Sequence, residues 1–126
     1  MHIEIEFTAN PIVEPVRIPY EEAGALVEFR GLVRMTERGA KISALVYEIY
    51  EKMAHRRIRE ILEKLNLEHP ILTATVIHRY GIVPTGEASI YVRLQSKHRG
   101  EAFYVLEHFM HEFKADVPIW KTGSLA

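Results

Sequence analysis

The sequence contains no cysteine. Disulfides, thiolate zinc sites, iron–sulfur clusters and thiol nucleophiles are thereby excluded, and any sulfur that the protein handles must be carried by something else. Aspartate is nearly absent as well, Asp116 being the only one, which argues against hydrolase triads and Asp-rich metal sites. There is no Gly-x-Ser-x-Gly elbow. No apolar run approaches the roughly 18 residues that a bilayer span needs. The N-terminal stretch Met1-His2-Ile3-Glu4-Ile5-Glu6-Phe7 has neither a basic head nor an apolar signal core, so a cytoplasmic location is expected. Charge of one sign is also missing. Sixteen Lys and Arg against 17 Asp and Glu give a net charge of −1, with the two signs interspersed, which speaks against a nucleic-acid or membrane-surface binder.

What is present is a chain of 126 residues, 48% hydrophobic. A chain of this length buries about two-thirds of its unfolded surface, enough for one core without a disulfide or metal, so residues 1–126 are expected to form a single domain. Ile3, Ile5 and Phe7 alternate with polar residues as in a half-buried strand, closed by Asn10-Pro11. Residues 8–19, with three prolines, read as loop, and Tyr20–Ala23 as a short helix. Ala25–Arg34, with Phe29 and Val33 on one face, and Ile42–Tyr50 read as strands. With the turn signal Thr36-Glu37-Arg38-Gly39 between them, they predict a long hairpin over 25–50.

At Tyr50 the period changes. Tyr50, Ala54, Ile58, Ile61, Leu62 and Leu65 recur at helical spacing and predict an amphipathic helix of about 16 residues ending before Pro70. Alternation in 73–78 and in 88–94, around Pro84-Thr85-Gly86, predicts a second hairpin. Ala102, Leu106, Phe109, Met110 and Phe113 predict a second helix, which Pro118 stops. Strand pairs interrupted by helices imply an α+β fold with a mainly antiparallel sheet and two main helices.

Three local patterns bear on chemistry. Gly81–Gly86 has the glycine spacing of a phosphate loop, but Glu87 stands where lysine is required and a strand follows, so the context fails. His108, His111 and Glu112 share a helix face at zinc-like spacing, yet they lie opposite the apolar stripe, where solvated polar residues belong, and no metal is expected. Ser96-Lys97-His98-Arg99 precedes the second helix. His98 and Arg99 would meet an anion there beside free N–H groups and a positive dipole end; the plain alternative is a solvated junction. Lys114 and Lys121 add basic groups. Lys121 follows Pro118-Ile119-Trp120, where a large aromatic is expected to fix the backbone and shield the amine from water.

The ordered series Gly24-Ala25, Phe29-x-Gly31-x-Val33-Arg34, Gly39, Leu45-x-Tyr47-Glu48-x-Tyr50, Met53-Ala54, Ile77-His78-Arg79-x-Gly81, Gly86-Glu87, His98-Arg99-x-x-Ala102-Phe103, Lys114 and Val117-Pro118-Ile119-Trp120-Lys121 resembles the large, catalytic subunit of molybdopterin synthase. The resemblance spans about residues 24 to 121. It implies the α/β hammerhead form of an α+β fold, and sulfur transfer to cyclic pyranopterin monophosphate to make the molybdopterin dithiolene. The sulfur comes from a thiocarboxylate on the C-terminal Gly-Gly of a small ubiquitin-like subunit, so neither an enzyme thiol nor a cofactor is needed. It also implies a homodimer within a heterotetramer, each site drawing residues from both large subunits.

Carried over by position, Lys114 and Lys121 match the active-site lysines, while Leu32, Val33, Arg34, His98 and Arg99 match substrate-binding residues. Phe29 and Met110 would shape the pocket wall. After the Trp-Lys pair the family carries another basic residue, a glutamate and a polar tail, where this sequence has Thr122-Gly123-Ser124-Leu125-Ala126. A non-catalytic dimeric scaffold for the ubiquitin-like partner is the alternative. The convergence of both lysines with His98 and Arg99 favours the enzyme.

Overall fold

In the computed structural model, residues 1–17 and 19–126 are described; Ile18, in the expected loop over 8–19, lies outside them. In chain order the elements are β1 (His2–Thr8), β2 (Ala25–Leu32), β3 (Thr36–Glu37), β4 (Ala40–Lys41), β5 (Ala44–Ile49), α1 (Glu51–Glu68), β6 (Thr73–Arg79), β7 (Gly81–Pro84), β8 (Ala88–Ser96), α2 (Arg99–Asp116) and β9 (Ile119–Leu125). They build a four-stranded sheet in the order β1-β6-β8-β2, a three-stranded sheet β7-β5-β9 and the small hairpin β3-β4. Every pairing is antiparallel except β1 with β6. The α+β class read from the sequence is the observed one.

Both helices pack on one face of the four-stranded sheet. Ala54, Ile58, Ile61 and Leu62 of α1 and Val105, Phe109 and Phe113 of α2 meet Ala74, Val76, Ile90, Val92 and Leu94 in one buried cluster. A second cluster, Val33, Leu45 and Val83, sits beneath the three-stranded sheet. Tyr50, counted in the stripe from its spacing, is the N-cap of α1 and is 64% exposed.

Three sequence expectations are corrected and one unassigned segment proves to be a strand. No 25–50 hairpin forms: β2 pairs with β8, whereas β5 pairs with β7 and β9. The register breaks between Gly31 and Leu32, and the chain then leaves the sheet, Val33 N–H donating to the Glu87 carbonyl at 3.0 Å. Tyr20–Ala23 is a turn closed by one hydrogen bond, not a helix. β6 and β8 do pair, but Gly81–Pro84 leaves the hairpin to join β5. Finally, Ile119–Leu125 is a strand that the glycine and serine content concealed.

The second face of the four-stranded sheet is covered too. Alternation places Tyr91 and Arg93 toward solvent, yet Arg93 is only 6% exposed and Tyr91 is fully buried. The segment after β1 folds back over them. Arg93 donates to the Pro15 carbonyl at 2.6 Å and to the Tyr91 hydroxyl at 3.0 Å, and Tyr91 donates to Glu28. Arg30, paired with Glu14 at 3.3 Å, lies over the Tyr91 ring. Burial, with the Glu28 carboxylate alongside, pushes the Tyr91 phenol up to about 12. The hydrogen bond from Tyr91 holds Glu28 below its usual range.

Candidate active site

β2 packs against α2, and the candidate residues on α2 fall at its two ends. At the first, Gly24 N–H donates to the Ser96 carbonyl at 3.0 Å, and the Ser96 hydroxyl donates to the His98 carbonyl at 2.6 Å. A Cβ on residue 24 would stand 2.2 Å from the Lys97 carbonyl oxygen, so only glycine allows this approach. His98 is the N-cap of α2 and its side chain caps nothing, leaving the N–H groups of the first turn open beside the exposed His98 and Arg99. That arrangement suits an anion.

At the other end, Lys114 in the last turn of α2 is exposed in a groove of about 490 Å³, with Phe29 of β2, Met110 and His111 among its walls. β2 continues to Leu32, which is 58% exposed, and on to the exposed Arg34. Val33 between them is 3% exposed, packed with Leu45 and Val83. Its N–H and carbonyl are bound to Glu87 and Gly86, and Glu87 is held by Arg79 at 2.7 Å. Val33 therefore anchors Leu32 and Arg34 and presents no side chain to a ligand.

Lys121 lies on β9 opposite Tyr47, next to a register shift that faces Val46 with Gly123. Such a bulge re-aims the strand's side chains. The expected shielding by Trp120 does not occur. Trp120 packs edge-on against Tyr50 at 5.1 Å, and the Lys121 side chain is 52% exposed, its Nζ standing 3.6 Å from Glu37 Oε2. Glu37 was not singled out by its sequence, because its hairpin reads simply as a turn.

Arg99 and Lys114 stand fifteen residues apart on α2, which at about 1.5 Å of rise each separates them by about 22 Å. The structure thus groups Lys114 with Phe29 and Met110, and Lys121 with the hairpin that follows Arg34, and keeps His98 and Arg99 at the end of α2 opposite Lys114. One small ligand cannot touch both ends of one chain.

The zinc-like triplet does not converge. His108 Nδ1 donates to the Tyr104 carbonyl at 2.8 Å and Glu112 pairs with Lys64 at 3.3 Å. Among the described residues no three His, Cys, Asp or Glu are placed to hold a metal, and no helix is long and apolar enough to cross a membrane. His78, in none of the proposed roles, is buried between Tyr47 (5.3 Å, edge-on) and Phe113 (5.7 Å, stacked). Burial pushes its imidazole down to about 4, against the opposing hydrogen bond from Nδ1 to the Arg79 carbonyl.

Fold and site together define an α+β protein with exposed basic groups at both ends of one helix and no thiol. The family model described as "MoaE protein" matches residues 4–116. A molybdopterin synthase catalytic subunit from Thermoplasma volcanium is 36% identical over 98% of this chain and 91% of its own length. The crystal structure of molybdopterin synthase from Staphylococcus aureus superposes with a TM-score of 0.77 at 28% identity, covering 97% of this chain and 93% of that one. A protein–protein complex of subunits 1 and 2 of molybdopterin-converting factor from Helicobacter pylori contains the same fold, with a TM-score of 0.70 at 22% identity over 98% of this chain and 88% of that one. The chain spans about half the length of the rice and human relatives it matches. It belongs to the MoaE family, that of the molybdopterin synthase catalytic subunits.

Proposed function

We propose that this chain transfers sulfur from the thiocarboxylated C-terminal Gly-Gly of a small ubiquitin-like subunit to cyclic pyranopterin monophosphate, building the molybdopterin dithiolene in two rounds. Family membership supports the reaction class, and the exposed basic groups at the ends of α2 are compatible with the residue roles. Lys114 and Lys121 neutralise the thiocarboxylate and supply protons as oxygen leaves the pterin. Arg34, with Leu32 beside it and Val33 as its anchor, and the pair His98 and Arg99 hold the substrate. A guanidinium binds two phosphate oxygens at once.

The separation of about 22 Å along α2 is the observation that favours a shared site. His98 and Arg99 of one chain complete the lysine end of a second, giving a homodimer with a small subunit at each end, a heterotetramer overall. Residues 1–126 act as one domain in the cytoplasm, with no resident cofactor and with neither nucleic acid nor membrane as partner.

The test is reconstitution of the purified protein with thiocarboxylated small subunit and precursor, read as dithiolene product. Lys121→Met is expected to leave folding and complex formation intact and to cut turnover at least about a hundredfold. Lys121→Arg keeps charge without ready proton release, so activity retained in Arg but not Met identifies electrostatic guidance. Full activity in Met removes Lys121 from the chemistry, and complex formation without product in the unaltered protein identifies a scaffold.

A further inference from the structure

Lys121 Nζ has one carboxylate within ion-pair distance among the described residues, Glu37 Oε2 at 3.6 Å. Glu37 is reached across the fold although Arg34, Arg38 and Lys41 stand near it in sequence; among the described residues none of those three pairs with it. We propose that Glu37 is the positioning residue for Lys121, holding its ammonium between β9 and the β3-β4 hairpin so that it can meet the partner's thiocarboxylate. The proposal rests on the sulfur-transfer reading for what Lys121 does, and on the geometry alone for where Lys121 is held.

The arm that carries Glu37 is built to a definite shape. β3 and β4 pair through Thr36 with Lys41 and Glu37 with Ala40, and Ile42 N–H donates to the Met35 carbonyl at 2.9 Å. Arg38 and Gly39 close the loop with φ of 51° and 79°, both in the left-handed region of a type I′ turn. For Gly39 that costs little, but Arg38 is the only non-glycine residue with positive φ among the described residues. The two-residue turn sets the register that faces Glu37 with Ala40 and so places Glu37 at the base of the loop. At its root the arm is anchored through buried Val33, so Glu37 links Lys121 to the segment that bears Leu32 and Arg34.

The distance also matters. At 3.6 Å the two groups form an ion pair, and because an ammonium carries three N–H donors, Lys121 keeps donors for another partner. A half-exposed lysine has a four-carbon stem with many rotamers, and a fixed counter-charge narrows the volume that its ammonium visits. The ammonium is held near one place and still has donors for a second anion. This is what a group that must meet an arriving thiocarboxylate requires.

The experiment compares Glu37→Gln and Glu37→Asp with the unaltered protein, using the complete complex. Glu37→Gln is expected to keep its melting temperature, to lower kcat about tenfold or more, and not to raise KM for the thiocarboxylated subunit, since a negative charge has been removed from the anion's path. Glu37→Asp keeps the charge and restores part of kcat. Independently of activity, the order parameter of the Lys121 side chain, from 13C relaxation of labelled lysine, should exceed that of solvated lysines and fall in Glu37→Gln. Unchanged kcat with an unchanged order parameter overturns the proposal, as does a loss of melting temperature with a rise in KM, which marks a structural role. If the unaltered complex makes no product, the sulfur-transfer reading fails, and the order parameter still decides whether Glu37 holds Lys121.

Discussion

Lowering the pH from neutral should destabilise this protein through His78. The Nδ1–H donates to the Arg79 carbonyl and the ring lies between Tyr47 and Phe113, so a second proton would place an uncompensated charge in the core. Desolvation depresses the folded-state value from 6.5 to about 4. Between those values the unfolded chain binds a proton that the folded chain refuses, so stability is fully present above pH 6.5 and is lost as pH falls toward 4. The slope is about 1.4 kcal/mol per pH unit, amounting to about 3 kcal/mol across the window. Glu28, whose value is lowered by Tyr91, adds a loss of the same sign below its ordinary 4.5, so the clean interval is pH 6.5 to 4.5. Urea unfolding at fixed protein concentration should show the midpoint falling by about 1 M or more over that interval, with an unchanged m-value. His78→Phe keeps a ring between Tyr47 and Phe113 but has nothing to protonate. An equally steep pH dependence in that variant would refute the assignment to His78.

Gly24→Ala should cost about 1–3 kcal/mol, because its Cβ meets backbone at 2.2 Å, and calorimetry should show a melting temperature several degrees lower. Arg99→Ala should weaken precursor binding ten- to a hundredfold by titration calorimetry, the loss of a charged hydrogen bond of about 1.5–3 kcal/mol, with small-subunit affinity unchanged. Arg93→Met should free the segment around Pro15 and leave Glu28 and Tyr91 without the Arg93 guanidinium, costing about 2–3 kcal/mol and making the backbone around Pro15 more susceptible to limited proteolysis. In solution the protein should be a dimer by light scattering at micromolar concentration; a monomer with intact sulfur transfer would end the shared-site reading.

Local chemistry in the sequence was enough to give the class of fold, the two helices and most strands. A 3.6-residue apolar period has only one way to bury its stripe, and the alternation in Ile3–Phe7 only one way to lie in a sheet. The composition likewise excluded thiol chemistry, and the order of motifs pointed to the family. What strands pair with is a matter of the whole chain. Gly31 and Val33 turn β2 away from β5, and only the finished sheets show that Ile119–Leu125 completes one edge. Alternation could not reveal that a proline-rich strap buries Arg93, because the covering residues lie some eighty positions away. The site divides in the same way. Its candidate residues, and the distance that a single helix puts between Arg99 and Lys114, follow from local sequence, but the burial of Val33 and the pairing of Lys121 with Glu37 depend on contacts between remote segments. Such contacts form only when hydrophobic burial brings those segments together, so they exist in the tertiary structure and in no local stretch of sequence.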